Sequence, residues 1–348
     1  VSLSASVVSR AFDAAWRSLH RDVESGELPS AVLAVANADE TIRTEAMTAP
    51  GMAWRVGSDS IFLLASITKP IVATRVLQLV EEGRILLNEP VARYWPEFAT
   101  NHKETVTLWH LLTHTSGLDE GYTAQFREKA VPDLRAADTA GVRDTFLNYA
   151  PGSRYRYCNA AFRVMTHVIE VLTGQDYISS ISSGVLTRMD MPNTTFVPDP
   201  SSEKVAPVLD FPHAMDAWLA LGSPSGGYWS TAPDLISFGQ SWLKNGVAGG
   251  GRVLSAASVA AATRVQYEGT DDDQPIQPAP VYRGLGWALS GPRRSELIPA
   301  GCFGHGGATG TRLLVDPFNQ LVLVFLTNRW SQTGFARDRA INAFYGAL

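Results

Sequence analysis

The sequence predicts an α+β fold in which one antiparallel sheet, flanked by helices, is drawn from both ends of the chain and a helical segment is inserted between them. Three observations predict it. Short apolar and β-branched runs stand near the N-terminus, at Ala31–Asn37 and Thr41–Met47, and return late in the chain at Leu285–Leu289, Thr311–Val315 and Leu321–Thr327. Between Arg84 and about Asp199, strand signals are scarce and helical ones common. The 348 residues are 45% hydrophobic and 18% charged, ample for a packed core and unlike a disordered chain. The expected division is residues 1–83 with 232–348 for the sheet part and 84–231 for an all-helical part, with a cleft between them.

Taken in order, Val8–Glu24 reads as a helix that Leu28-Pro29 ends, and the turn Ala38-Asp39-Glu40 joins the first two strands. In Ile71–Glu82 the residues Val72, Val76, Leu79 and Val80 fall at i, i+4, i+7 and i+8, opposite Thr74, Gln78, Glu81 and Glu82, and Gly83 supplies the stop. Thr107–Thr113 reads as a short helix before Ser116-Gly117, and Asn159–Leu172 as a longer one with Phe162, Met165, Ile169 and Leu172 on one face. A further helix spans Asp234–Lys244. Gly250–Tyr282, with the acidic run Asp271–Asp273 and three prolines, is expected to be loop-rich. Phe335–Gly346 closes the chain as a helix.

Composition narrows the partners. The net charge is −5 and no basic run exists, which argues against nucleic acid or an anionic membrane surface. The longest apolar stretch, Leu321–Leu326, is far shorter than a bilayer span, so no integral membrane segment is expected. No signal peptide is visible from Val1; a leader removed before it stays open, and with it a cytoplasmic or exported location. Cys158 and Cys302 are too few for a disulfide scaffold and are expected to be buried free thiols. No histidine pair sits at metal-ligand spacing with a carboxylate, so neither metal nor other cofactor is expected, and His110, His114 and His167 are read as structural.

Familiar signatures of metalloproteases, P-loop and dinucleotide-binding proteins and α/β-hydrolases are missing. A Ser-x-x-Lys pairing occurs three times. Ser201/Lys204 lies in a loop and Ser241/Lys244 in the last turn of a helix, which shows how weak the bare pattern is. Ser66-Ile67-Thr68-Lys69 stands at the amino end of the Ile71–Glu82 helix, with Pro70 tolerated in the first turn. There the helix dipole favours a developing negative charge on Ser66 and, with burial, disfavours an ammonium on Lys69. A neutral lysine can remove a serine proton; the plainer reading makes Ser66 a helix cap. Tyr157-Cys158-Asn159 places a phenol for proton transfer and an amide for substrate at the start of another helix, where Asn159 also reads as an ordinary N-cap. Gly304-His305-Gly306-Gly307-Ala308 lets a substrate approach backbone N–H groups, or is simply a Gly-rich turn with an exposed histidine.

In this order the three elements resemble the serine β-lactamase and penicillin-binding-protein superfamily, in the branch with Tyr-x-Asn as its second motif, which includes class C β-lactamases, D-Ala-D-Ala carboxypeptidases and β-lactamase-like carboxylesterases. Phe62–Pro70 looks like its nucleophile segment; Leu111–Leu118 and Ser225–Ala232 with Asp234-Leu235 look like two more recurring stretches, so the likeness covers almost the whole chain. The resemblance implies a β-lactamase-like fold with its site between sheet and helical parts. It implies Ser66 as acylated nucleophile, Lys69 as proton-relay partner and Tyr157 as general base, with Asn159 on the substrate carbonyl and the backbone N–H groups of Ser66 and Ala308 as oxyanion hole.

The third motif departs from the Lys-Thr-Gly of β-lactamases: His305 replaces the lysine and Gly306 the threonine, ahead of Gly307. Those two side chains recognise a substrate carboxylate, and charged hydrogen bonds contribute about 1.5–3 kcal/mol each. An uncharged ester or amide is therefore the expected small-molecule substrate, and carboxylesterase the first expectation. A D-stereospecific peptidase or amidase, a β-lactamase, an acyltransferase, or a catalytically silent penicillin-binding-like module are the alternatives. Tyr155, Trp229 and Phe303, close to the motifs in sequence, are candidate lining of an acyl pocket, or else core.

Overall fold

The computed structural model describes residues 3–121, 133–271, 279–291, 296–332 and 334–348. Helix Ala5–Glu24 leads into strands β1 (Ser30–Ala36) and β2 (Thr41–Thr48), and a two-residue strand β3 (Phe62–Leu63) precedes helix Thr68–Glu81. Helices Leu108–Leu112, Leu134–Asp144, Ala160–Thr173, Tyr177–Ile181 and Met215–Leu221 follow. After β4 (Trp229–Ser230) come helix Ala232–Leu243, a small hairpin of β5 (Val247–Ala248) and β6 (Gly251–Arg252), and helix Ala256–Thr263. Strands β7 (Tyr267–Asp271), β8 (Ala279–Arg283), β9 (Ala288–Leu289), β10 (Phe303–Gly306), β11 (Arg312–Asp316) and β12 (Leu321–Leu326) lead to helix Phe335–Tyr345.

Among the described residues the main sheet has the strand order β2-β1-β12-β11-β10-β9-β8-β7, every pair antiparallel. The two ends of the chain meet where β1 pairs with β12, Val32 opposite Leu326. Both of these strands are buried throughout, because successive side chains point to opposite faces and both faces are covered. Leu33, Val35, Leu314, Leu323 and Phe325 pack with Phe12, Leu19 and Phe344 of the terminal helices. Val32, Ala34, Val322 and Val324 face a second core with Val72, Val76, Leu235 and Phe238. A Cβ on Gly239 would stand 2.5 Å from Val322 Cγ1, so only glycine lets helix Ala232–Leu243 lie this close to β12.

The β-lactamase-like architecture expected from the sequence is present, and local differences have physical reasons. The described parts of Gly250–Tyr282 hold more secondary structure than expected. Ser255 caps an alanine-rich helix, and β7 is an edge strand with alternating half-buried and exposed residues, so no hydrophobic run announces it. Asp271 ends β7, while Asp272, Asp273, Pro275 and Pro278 lie outside the described residues. The Leu285–Leu289 strand shortens to Ala288–Leu289 because Gly286 takes φ +78. Phe303–Gly306 is not a turn but a strand inside the sheet. No helix among the described residues is long and apolar enough to cross a membrane.

Candidate active site

The chain enters the site along β3, which pairs with β4, Leu63 opposite Trp229. Ala65 then takes a left-handed φ of 48 immediately before Ser66, a conformation that costs a non-glycine residue energy and clusters at functional sites. Ala65–Ile67 form one turn of 3-10 helix that runs directly into helix Thr68–Glu81, starting earlier than the periodicity predicts. Ser66 is not the helix cap: Leu64 and Ile67 hold those positions, without a side-chain cap bond.

Lys69 is fully buried on the same turn. Its Nζ lies 2.8 Å from Asn159 Oδ1, 2.8 Å from the Ser225 carbonyl and 3.3 Å from Ser66 Oγ, and 4.7 Å from the centre of the Tyr157 ring. Asn159 Oδ1 and the Ser225 carbonyl can only accept, so they take two N–H bonds. In the neutral amine, with both hydrogens so engaged, the lone pair is what remains for the Ser66 hydroxyl. Burial pulls the Lys69 pKa down to about 7, against the opposing charge of Glu120, so a large fraction of the amine is neutral near pH 7.

Tyr157 is the third group on this oxygen, its phenol hydrogen-bonded to Ser66. Burial pushes that phenol well above its ordinary pKa, with the Ser66 bond and the Arg283 charge acting against the shift. Asn159 does stand at the N-cap of helix Ala160–Thr173, but its side chain does not cap. Glu120 does that work: its Oε1 accepts from the backbone N–H of Asn159 and, at 2.7 Å, of Ala160, which frees the Asn159 amide to turn toward Lys69.

The third motif reaches the site as strand β10. His305 pairs with Leu313 and its ring is buried, 6.1 Å from that of Tyr157, not exposed. Its Nδ1 lies 2.8 Å from the Gly306 carbonyl, an acceptor, so Nδ1 carries the proton and Nε2 is a bare acceptor with no partner among the described residues. Burial, with the charges of Lys69 and Arg283, holds the imidazole well below its usual pKa and therefore neutral. Beyond Gly306, Thr309 Oγ1 donates to the Leu63 carbonyl at 2.8 Å and Thr311 Oγ1 to that of Leu64 at 3.0 Å. These bonds clamp the Gly307–Ala308 turn to the backbone leading into Ser66. A Cβ on Gly307 would stand 2.2 Å from the Leu64 carbonyl, so the close approach requires glycine. The structure thus brings Ser66, Lys69, Tyr157, Asn159 and the His305–Ala308 segment together.

The pocket candidates divide. Tyr155 is buried beside the site, with Arg283 donating to its hydroxyl. Trp229 is buried on β4. Phe303 is not cleft lining: it packs edge-on against Trp242 and Trp287 in the core. Cys158 and Cys302 are both free and buried, and they belong to different cores.

Three neighbours of these groups lie outside the three catalytic motifs. Arg283, at the end of β8, places its guanidinium 5.0 Å from the Tyr155 ring centre and 5.7 Å from that of Tyr157, and its Nε is buried with no partner among the described residues. His114, with φ 58, stacks 4.5 Å from the Tyr157 ring and accepts from the Cys158 N–H at 3.0 Å. Glu120 is the third. The Leu111–Leu118 stretch marks the neighbourhood of His114 and Glu120; nothing in the sequence marks Arg283.

Comparison with known proteins agrees with this geometry. The family described as Beta-lactamase matches residues 11–347. Penicillin-binding protein 4 of Amycolatopsis lactamdurans is 31% identical over 299 residues, covering 81% of this chain and 76% of its own length. Esterase EstB of Burkholderia gladioli is 38% identical over 156 residues, 40% of this chain and 39% of the relative. Among solved structures, EstCE1, titled a hydrolase with promiscuous acyltransferase activity, superimposes with a TM-score of 0.84 at 20% identity, covering 97% of this chain and 99% of the other.

Proposed function

The chain belongs to the β-lactamase family of serine hydrolases, and from that premise we propose that it is a carboxylesterase acting through an acyl-enzyme on Ser66. The observation that carries the nucleophile is Lys69 Nζ lying 3.3 Å from Ser66 Oγ while two pure acceptors, Asn159 Oδ1 and the Ser225 carbonyl, take its other hydrogen bonds. In this reading Lys69 takes the Ser66 proton as Oγ attacks the ester carbonyl. The Ser66 and Ala308 N–H groups stabilise the oxyanion, and Tyr157 gives its proton to the departing alkoxide and is reprotonated by the Lys69 ammonium, which returns the amine to its neutral form. Water then reverses the steps and frees the acid. The general-base role expected for Tyr157 moves to Lys69, because burial lowers the amine and raises the phenol.

Preference for an ester over a carboxylate-bearing substrate rests on His305. Its proton is on Nδ1 and spent on the Gly306 carbonyl, so the ring offers a carboxylate no donor, and Gly306 has no hydroxyl. One observation favours a second reading, cleavage of a D-configured peptide or a β-lactam: Arg283 supplies a cation beside Tyr157 that the motif lacks.

The test is turnover of p-nitrophenyl butyrate and of a chromogenic cephalosporin by wild type, Ser66→Ala and Arg283→Gln, with acid-quenched mass spectrometry of the protein. Ester turnover that needs Ser66, with an acyl mass increment and little cephalosporin cleavage, supports the esterase. Efficient cephalosporin cleavage that Arg283→Gln abolishes overturns it in favour of the second reading.

A further inference from the structure

Four aromatic rings gather around helix Met215–Leu221 without joining either core. Phe211, His213, Trp218 and Trp330 are each half-buried. All six pairs among them have ring centres between 5.1 and 6.1 Å apart: His213 stacks on Trp218 at 8°, and the other five pairs are edge-on. Phe211, Trp218 and Trp330 are absent from both hydrophobic clusters that hold the fold. Large aromatic side chains assembled outside the core and left partly open mark a surface made for an apolar ligand.

The cluster's position supplies the ligand. Trp218 lies on helix Met215–Leu221, which buries none of its residues and which the left-handed Gly222 ends. Tyr177 donates to the Gly222 carbonyl and anchors that end. Trp218 Cζ2 and the Ala65 carbonyl carbon each lie 3.6 Å from where a Cβ on Gly226 would stand. Gly226 follows Ser225, the carbonyl partner of Lys69, and Ala65 precedes Ser66. The absent side chain at Gly226 thus opens a gap between the nucleophile's backbone and an indole edge. Trp330 joins the cluster from the segment that follows β12. Its N–H donates to the Leu209 carbonyl at 2.9 Å, and the Leu209 N–H to that of Asn328 at 2.8 Å, which ties the two aromatic segments together. Two residues on, the Gln332 side chain comes within 3.1 Å of a Cβ built on Gly310, in the turn that carries Ala308.

We propose that Phe211, His213, Trp218 and Trp330 form the acyl-binding subsite, and that the substrate is an ester of a bulky, apolar acid, arylalkyl before short-chain. This rests on the esterase reading. The leaving oxygen has to face Tyr157, whose ring neighbours are His114 and His305. The carbonyl oxygen faces the Ser66 and Ala308 N–H groups. The acyl chain is then left with the direction in which Gly226 has no side chain, and that direction ends on Trp218.

The experiment holds the leaving group constant and varies the acid: kcat/KM for p-nitrophenyl phenylacetate against p-nitrophenyl acetate, in wild type, Trp218→Ala and Trp218→Phe, with Ser66→Ala as the blank. The wild-type ratio is expected to favour phenylacetate, to fall about tenfold or more in Trp218→Ala, and to be largely restored in Trp218→Phe. An equal loss on both esters, which a structural role would give, or an unchanged ratio, overturns the subsite. Turnover that survives Ser66→Ala, or no turnover of either ester, overturns the esterase reading itself.

Discussion

Among the described residues two lysines are fully buried, and they do opposite things. Lys69 donates to the Asn159 amide and the Ser225 carbonyl and turns to Ser66. Lys103 donates to the Thr100 carbonyl at 2.7 Å and the Thr145 carbonyl at 2.6 Å, and lies 5.4 Å from the centre of the Phe98 ring. Burial lowers both amines, to about 7 and about 8, the latter against the pull of Asp144. Both surroundings offer backbone carbonyls and an aromatic face. A depressed amine is therefore not a mark of catalysis; the difference is the remaining neighbour. At Lys69 it is a hydroxyl that can lose a proton, seated at a helix start behind a left-handed residue. At Lys103 the hydrogen bonds all end on carbonyls, and the amine serves as a clamp between two segments of backbone.

Replacing each lysine by methionine gives the sharpest test, because the two changes are expected to cross. Lys69→Met removes the proton acceptor for Ser66 and should lower kcat/KM by about a thousandfold or more while the protein stays folded. Its melting temperature should hold or rise, because the acceptors it leaves belong to the exposed Asn159 and the half-buried Ser225, where water can replace the amine, whereas Thr145 beside Lys103 is buried. Lys103→Met should leave ester turnover within a few-fold and lower stability, because it strips the donor from two backbone carbonyls at a cost of about 1–3 kcal/mol. Kinetics and thermal melts on the same two samples decide it. A Lys103 variant as inactive as the Lys69 variant, at a temperature where it is folded, would erase the distinction.

The next effect is the pH dependence. On the proposed mechanism neutral Lys69 is the active form, so kcat/KM for a neutral ester should rise about tenfold per pH unit below the pKa and level off above about 7. The stability term has the same sign. Between the folded-state values near 7 and 8 and the ordinary lysine value of 10.5, the unfolded chain binds protons at these two positions that the folded chain does not. Both lysines therefore make the fold more stable as pH rises through that window. A pH-rate profile flat from 5 to 9 would remove Lys69 as the base.

What the sequence disclosed of this arrangement follows from how local each feature is. Ser66 and Lys69 share one helical turn, and Tyr157 and Asn159 lie two residues apart, so spacing alone carries their geometry. The strands buried on both faces, β1 and β12, are visible as continuous apolar runs. Arg283 was hidden because it meets Tyr155 only through the fold, at the end of β8, a short strand beside the edge strand β7 with no hydrophobic run to announce it. Phe303 misled for the converse reason. Closeness in sequence to His305 put it near the motif, but two residues along the strand is far enough to bury it against Trp287. The same holds for Asn159: a cap in sequence terms, it yields that task to Glu120, which is 39 residues earlier.

The smallest expected effect refines the comparison most closely, because it concerns only the field at Lys69. Glu120 raises that pKa and Arg283 lowers it, so their removal should move the acid limb of the rate profile in opposite directions. Glu120→Gln keeps an oxygen to accept from the Asn159 and Ala160 N–H groups and removes the charge; the limb should shift to lower pH, with more neutral amine at a given acidity. Arg283→Gln removes the competing cation, and the limb should shift to higher pH. Neither change touches the bonds from Lys69 to Asn159, Ser225 or Ser66, so the plateau should change less than the limb. The pairing is the control: a variant that merely loosened the site would lower the plateau, and two that did so would not split to either side of wild type. Profiles that move together, or plateaus that fall with no shift, would mean that Lys69 is tuned by burial alone, as Lys103 largely is.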